Sequence, residues 1–182
     1  LAVAGFADLC QRADDPGRPK ALARPPQMRL IGISEPGGKE EAGLRSFADA
    51  RAAGKKAILL MYEQEGCPAC LYMKQNVLNR VDVQELYRRH FVSFTIDING
   101  AVPLKDFGGR DISEKAFAAA AKARATPTFA FHDLSGTEIV RITGAVRDVG
   151  EFKLLAEFVA SGAYKTRQFA EYKQLQSAKK GG

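Results

Sequence analysis

The side chains that most often bind metals or cross-link small folds are scarce in this sequence of 182 residues, which has two histidines and three cysteines. An odd number of cysteines excludes a framework in which every cysteine is paired within the chain. A structural zinc site needs four ligands, usually a second C-x-x-C or a histidine pair beside the first. Beyond Cys67 and Cys70 only Cys10, His90 and His132 remain, and they are widely scattered. We therefore expect one close cysteine pair, a leftover Cys10 thiol, no metal site, and His132 on the surface of a strand.

Long apolar runs are also missing, and so is a net charge in the middle of the sequence. No run approaches the ~20 apolar residues of a membrane-spanning helix, so we do not expect an integral membrane protein. The net charge of +6 lies at the ends, with +2 in residues 1–29 and +4 in residues 163–182. A nucleic-acid-binding protein more often carries its basic residues on one face of the body, interleaved with aromatics. The sequence therefore predicts no nucleic-acid partner, and the basic ends are interpreted as solvated segments.

Residues 1–40 have the composition of an extended N-terminal arm. Five prolines and four glycines fall within residues 11–40, where only residues 28–33 are typical of a short strand. Residues 1–7 are small and apolar and precede a polar stretch, although no basic segment is visible before them. We interpret residues 1–7 as a candidate remnant of a secretory leader.

Apolar periodicity predicts a domain at residues 41–162, followed by a C-terminal helix and tail at 163–182. The predicted helices are at 40–54, 67–78, 83–90, 112–124 and 149–159, and the strands at 57–62, 91–98, 128–132 and 138–142, with a glycine-rich loop at 99–112. The unbroken apolar run at 57–62 is typical of a strand covered on both faces in a parallel or mixed sheet. A βαβ unit followed by a ββα unit predicts an α/β fold, a three-layer α/β/α sandwich.

The segment Gly66-Cys67-Pro68-Ala69-Cys70 lies between the buried strand and an amphipathic helix. A helix start presents unpaired N–H groups and the positive end of the helix dipole. Proline is favoured in the first turn because it lacks an N–H group. Cys67 would then occupy the N-cap, where these groups lower the pKa of its thiol and favour the attacking thiolate. Cys70 lies one turn further along the apolar face, so we expect it to act second, as the resolving thiol. A purely structural disulfide is the alternative, although closing so short a loop stabilises little.

A second motif, Ala125-Thr126-Pro127-Thr128-Phe129, places a proline directly before a predicted strand, which is an uncommon position in a sheet. A strand, C-P-x-C at a helix start and T-P-T before a hairpin together resemble the thioredoxin superfamily over roughly residues 42–161. The resemblance implies a thioredoxin-like fold with a mixed central sheet, in which Pro127 follows a cis peptide bond and lies against the dithiol. An ordinary trans proline at a strand start is the alternative.

The same resemblance implies which residues contact a substrate and what the protein needs for activity. The backbone of Thr126 would offer hydrogen bonds to a bound client, with Pro127, Pro68 and Ala69 also at the binding site. No cofactor is implied beyond a redox-active Cys67–Cys70 disulfide.

Two positions beside the motif depart from ordinary thioredoxins. The buried Asp that the superfamily carries six residues before the first cysteine is Met61 here, and the usual tryptophan before the motif is Gly66. Proton transfer would then use Glu63, Glu65 or water, unless both carboxylates are simply solvated surface groups. General cytosolic thioredoxin activity is therefore not expected.

The run from Glu63 to Lys74 and the glycine-rich segment at 99–112 resemble exported bacterial thioredoxin-like proteins of sulfur-oxidation (SoxW-like) and other envelope redox systems. This implies a periplasmic, exported protein that exchanges electrons with protein disulfides and dithiols, reduces envelope clients and receives electrons from a membrane thiol reductant. A cytoplasmic location stays the alternative. The alternative functions are a thiol oxidase or isomerase of the same fold, and a non-catalytic module that binds a client or a metal.

Overall fold

The computed structural model describes residues 29–30 and 47–180. Cys10, the candidate leader remnant at 1–7 and most of the predicted arm at 1–40 lie outside the described residues. The strands are β1 (Arg29–Leu30), β2 (Ala57–Glu63), β3 (Phe91–Asp97), β4 (Pro103–Lys105), β5 (Asp111–Ser113), β6 (Thr128–His132) and β7 (Glu138–Thr143). The helices are α1 (Phe47–Ala52), α2 (Pro68–Met73), α3 (Val81–His90), α4 (Glu114–Ala120), α5 (Val149–Ala160) and α6 (Phe169–Lys180). A π-helical turn, Lys74–Leu78, continues α2, and a 3₁₀ turn, Ala163–Lys165, precedes α6.

Within the described part of the chain, five strands form one mixed sheet in the order β1-β3-β2-β6-β7. β2 and β3 are parallel, as expected of a βαβ unit, and the other neighbours are antiparallel. Helices cover both faces of this sheet, which confirms the predicted α/β/α sandwich. Because β2 lies in the centre, the residues that follow it are placed at the middle of one sheet edge.

The unbroken apolar sequence of β2 is explained by two separate cores. Leu59 and Met61 face a core that includes buried side chains of α2, α3 and α5. Leu60 and Tyr62 face a second core on the opposite side, against α4. Every residue of β2 except the last is buried, as predicted for a strand covered on both faces. Burying one such side chain stabilises the fold by about 1.5–3 kcal/mol.

The segment at 99–112 is not the plain loop that its glycines predicted. β4 and β5 pair there as a small antiparallel ribbon, separate from the main sheet. Leu104 is buried in the α4-side core and anchors the ribbon to the domain. Strands of three residues are too short for an alternating pattern to be recognised among glycines, which is why the prediction was wrong.

Helix α4 is shorter at both ends than the predicted helix at 112–124. Ser113 caps its start, because the Ser113 hydroxyl oxygen accepts a hydrogen bond from the Ala116 N–H at 3.2 Å. At the other end Lys122 adopts a positive φ of 54°, which the helix cannot continue through. The chain then runs directly to the Thr126–Pro127 loop.

His132 is buried, not on a strand surface as expected. β6 is an internal strand between β2 and β7, both faces of the sheet are covered, and only 5% of His132 is exposed. Its ring centroid lies 4.7 Å from that of Phe107. The sequence alone did not show that this strand is internal.

The predicted C-terminal helix is present, but it does not trail away from the body. A 3₁₀ turn interrupts the predicted element, and α6 begins at Phe169. The rings of Phe169 and Tyr172 lie 5.4 Å and 5.2 Å from Phe158 of α5. α6 is therefore packed on the domain by aromatic contacts.

Candidate functional site

The cysteine pair lies where the central strand ends and α2 begins. After β2 the chain turns at Gly66, whose φ of +72° is in the left-handed region that favours glycine. Cys67 follows in an extended conformation as the N-cap of α2, and Pro68 is the first helical residue. The Cys70 N–H donates a hydrogen bond to Cys67 Sγ at 3.1 Å. The structure therefore has Cys67 at the predicted helix start, with a backbone N–H group directed at its sulfur.

The two sulfurs are joined in a disulfide, with the Cα atoms of Cys67 and Cys70 5.3 Å apart. Cys67 is 9% exposed and Cys70 is 3% exposed. Met73 and Val77, further along the same helical segment, are fully buried. Cys67 is thus the more exposed residue of the two, in the order expected for an attacking and a resolving thiol.

The proline loop contacts the cysteine pair. The Thr126–Pro127 peptide bond is cis. The carbonyl oxygen of Thr126 lies 3.6 Å from Cys67 Sγ. Two hydrogen bonds hold the loop, from the Thr128 hydroxyl to the Ala125 carbonyl at 2.7 Å and from the Gly144 N–H to the Pro127 carbonyl at 2.8 Å. Cys67 and Thr126 are 59 residues apart in sequence, and the two motifs are brought together at the contact between them.

A groove of about 920 Å³ opens beside the cysteine pair. One wall consists of residues 63–68 with Cys70, Leu71 and Lys74, and the other of Thr95, Asp97, residues 100–102 and Glu114. We call this cavity the redox groove. Of the predicted site residues, Glu63, Glu65, Pro68 and both cysteines line it, whereas Ala69, Thr126 and Pro127 do not.

The two carboxylates proposed for proton transfer have different environments. Glu63 is half-buried, and its carboxylate forms an ion pair with the Lys74 ammonium at 2.5 Å. Glu65 is exposed and belongs to the turn that leads to Cys67. Met61, which stands where thioredoxins carry a buried acid, is fully buried. The acids near the pair are thus at the groove and not beneath the helix.

No residue of the wall opposite the cysteines was predicted from the sequence, and this wall includes Asp97, Gly100, Val102 and Glu114. Asp97 is opposite Glu63 in the parallel β2–β3 register. The carboxyl ends of parallel strands share one sheet edge, and this signal could have identified Asp97. The others depend on how the 99–113 segment folds back over that edge.

Glu114 holds together the wall of the redox groove that lies opposite the cysteines. Its carboxylate accepts a hydrogen bond from the Asp97 N–H at 3.3 Å, although Glu114 is only 9% exposed. A Cβ atom at Gly100 would lie 2.1 Å from Oε2 of Glu114. The wall can pack so closely only because residue 100 has no side chain.

Two further observations concern residues 29–30 and 47–180 alone. No three His, Cys, Asp or Glu side chains among them are grouped to hold a metal ion. None of the helices that these residues form has the length and apolar character required to cross a membrane.

Comparison with known proteins agrees with the fold. A family described as a thioredoxin-like domain matches residues 45–160, more than half of the chain. The chain belongs to this thioredoxin-like family. The superfamily resemblance is thereby confirmed, whereas the finer resemblance to exported sulfur-oxidation proteins stays a prediction.

Two solved structures illustrate what the chain is similar to. A thioredoxin-fold protein from Helicobacter pylori has 21% sequence identity and a TM-score of 0.54, with 69% of this chain and 82% of that chain covered. A thioredoxin from Thermus thermophilus has 25% identity and a TM-score of 0.49, with 63% and 80% covered. No curated protein sequence matches the chain.

Proposed function

We propose that this thioredoxin-like protein is a thiol–disulfide oxidoreductase that reduces disulfide bonds of client proteins in the bacterial envelope. The observation that carries the proposal is the hydrogen bond from the Cys70 N–H to Cys67 Sγ at the start of α2. A sulfur that accepts a hydrogen bond at a helix N-terminus is stabilised as a thiolate, and the thiolate is the nucleophile in disulfide exchange.

The reaction uses the two sulfurs in sequence. The Cys67 thiolate attacks one sulfur of a client disulfide, the client S–S bond breaks, and the released client thiolate takes up a proton. The Cys70 thiol then loses its proton and its thiolate attacks Cys67 Sγ, which breaks the mixed disulfide and releases the second client thiolate. Two electrons pass to the client, and the Cys67–Cys70 disulfide is left on the protein.

The residues around the pair support binding of an extended client segment. Thr126 lies within contact distance of Cys67, so its backbone is placed beside any segment joined to that sulfur. Pro68 is exposed next to the attacking cysteine, and Ala69 is partly exposed. Pro127 is buried and gives the loop its shape. Each of these roles is a proposal that rests on the family resemblance and on these positions.

Proton transfer from Cys70 is proposed to use Glu63, with Glu65 or water as the other routes. Both glutamates line the redox groove together with Cys70, and the position of the usual buried acid is occupied by Met61. In single-turnover reduction of a disulfide peptide, we expect Glu63→Gln to slow the resolving step more than Glu65→Gln. Equal, unchanged rates for both variants would leave water as the proton acceptor.

The envelope location and the membrane thiol reductant are proposed from the sequence resemblance. Cell fractionation followed by thiol labelling tests both. We expect the protein in the periplasmic fraction with Cys67 and Cys70 reduced. Recovery from the cytoplasm, or a fully oxidised pair in the periplasm, would contradict this part of the proposal.

Trapping tests the activity most sharply. In a Cys10→Ala background, Cys70→Ala should accumulate mixed disulfides with client proteins through Cys67, because the resolving thiol is absent. The matched variant Cys67→Ala should accumulate far fewer. Capture of no client by Cys70→Ala, or equal capture by both variants, would contradict the proposal.

The direction of electron flow is measured separately by redox titration. A potential near about −270 mV indicates a reductant, whereas a value near about −120 mV indicates a thiol oxidase. The second value would keep the exchange chemistry and reverse its proposed direction.

A further inference from the structure

The described lining of the redox groove is acidic. Among the residues that the structure describes, four lining side chains are carboxylates, Glu63, Glu65, Asp97 and Glu114, and Lys74 is the one lining cation. Lys74 is already paired with Glu63. The formal charge of the lining is therefore negative, although residues 30–162 as a whole are balanced.

Two apolar side chains stand at the same groove, one on each wall. Leu71 is 54% exposed and Val102 is 48% exposed, and both line the cavity. Large exposed apolar residues are otherwise few among the described residues, with Val81 and Leu175 completing the set. An apolar contact with a polar rim around it is the usual arrangement of a protein–protein interface.

We propose that the redox groove selects client segments that carry lysine or arginine next to the reactive disulfide. The inference rests on the proposed function, because it concerns which clients reach Cys67. The aliphatic part of a long basic side chain would pack on Leu71 or Val102, while its charged end approaches Glu65 and Asp97. Opposite charges at a rim mainly speed association, so the preference should appear in kcat/KM and weaken with salt.

The test uses three peptides with one internal disulfide that differ only in the flanking residues, which are lysine, serine or glutamate. The reduced protein, with Cys10 replaced by Ala, is mixed with each peptide in single-turnover measurements. Each rate is divided by the rate at which dithiothreitol reduces the same peptide, which removes the effect of the flanking charge on the disulfide itself.

For the parent protein we expect the lysine peptide to react about fivefold faster than the serine peptide, and the glutamate peptide about fivefold slower, at low ionic strength. These factors correspond to one or two exposed ion pairs. At about 0.5 M salt, where the Debye length is only a few ångströms, the three rates should converge.

The double variant Glu65→Gln with Asp97→Asn tests the groove directly. Asparagine keeps the side-chain oxygen that accepts the Asn99 N–H, so the turn after β3 is preserved. We expect this variant to react more slowly with the lysine peptide and faster with the glutamate peptide. The ratio of the lysine-peptide rate to the glutamate-peptide rate should therefore fall to about threefold or less. The control Glu85→Gln removes an exposed carboxylate of α3 outside the groove and should leave the preference unchanged.

Different failures have different meanings. If all peptides react equally with the parent protein, or if the preference survives in the double variant, the basic-client inference is wrong while the proposed function stands. If the double variant slows all three peptides by the same factor, the carboxylates act in proton transfer and the inference is again wrong. If not even the serine peptide is reduced, the proposed function fails and the inference falls with it.

Discussion

The contact between Gly100 and Glu114 gives a prediction with a calculable size. In a Gly100→Ala variant the new Cβ would lie 2.1 Å from Oε2 of Glu114 and 3.0 Å from the Cβ of Asp97. The Glu114 carboxylate, at the end of a flexible side chain, must move away. It then loses the hydrogen bond from the Asp97 N–H.

The magnitude follows from that lost bond. A hydrogen bond to a charged group contributes about 1.5–3 kcal/mol. Replacing Gly by Ala restores about 0.4–1 kcal/mol by restricting the unfolded chain. We therefore expect Gly100→Ala to lower the free energy of unfolding by about 1–2 kcal/mol.

A double-mutant cycle separates this contact from general damage. In a Glu114→Ala background the carboxylate is absent, so adding Gly100→Ala should cost much less, because only the 3.0 Å approach to the Asp97 Cβ remains. The expected coupling free energy is about 1–2 kcal/mol, measured by urea unfolding of the oxidised proteins. Gly108→Ala, whose Cβ would approach the Asp106 carboxylate at 3.3 Å, is the matched control and should cost less. Additive effects of the two substitutions would refute the proposed packing of the groove wall.

Three further predictions concern other parts of the domain. Burial lowers the pKa of His132, against a smaller raising effect of Glu138, so the unfolded state binds the proton more readily and stability should fall as pH drops through about 6.5. A His132→Phe variant should lose less stability than the parent between pH 7 and pH 5 in urea titrations, and identical slopes would contradict this reasoning. Tyr87→Phe removes a buried hydrogen bond to the Phe152 carbonyl at 2.8 Å and should lower the free energy of unfolding by about 1 kcal/mol in thermal or urea unfolding. An unchanged free energy of unfolding would show that this bond makes no net contribution to stability. Gly66→Ala has open space around the new Cβ but requires a positive φ at residue 66. We therefore expect the free energy of unfolding to fall by about 1–2 kcal/mol from backbone strain alone, and an unchanged value would contradict the left-handed turn before Cys67.

The sequence was sufficient where local pattern and motif agree. β2 is a continuous apolar run, and the order of a buried strand, Cys67, Pro68 and an amphipathic helix leaves few other arrangements. The proline loop was predicted from Pro127 standing before a strand, with help from a family resemblance. These features depend on residues close together in the chain, so their pattern can be recognised in a single sequence.

The far wall of the redox groove could not be predicted in the same way. Asp97, Gly100 and Glu114 come together through the parallel register of β2 with β3 and the return of the chain along a ribbon of three-residue strands. No local periodicity marks such a contact. His132 was misplaced for a related reason, because burial of a strand residue depends on what packs on its face of the sheet, and here that is Phe107.

The central claim is that Cys67 is the attacking sulfur because the start of α2 stabilises its thiolate. Alkylation of the fully reduced protein across pH, with each cysteine followed by peptide mass spectrometry, tests this most directly. The account predicts that Cys67 is modified fastest at neutral pH, with a half-maximal rate at a pH clearly below the ~8.5 of an ordinary thiol. A half-maximal pH for Cys67 at or above that value, or faster modification of Cys70, would contradict it.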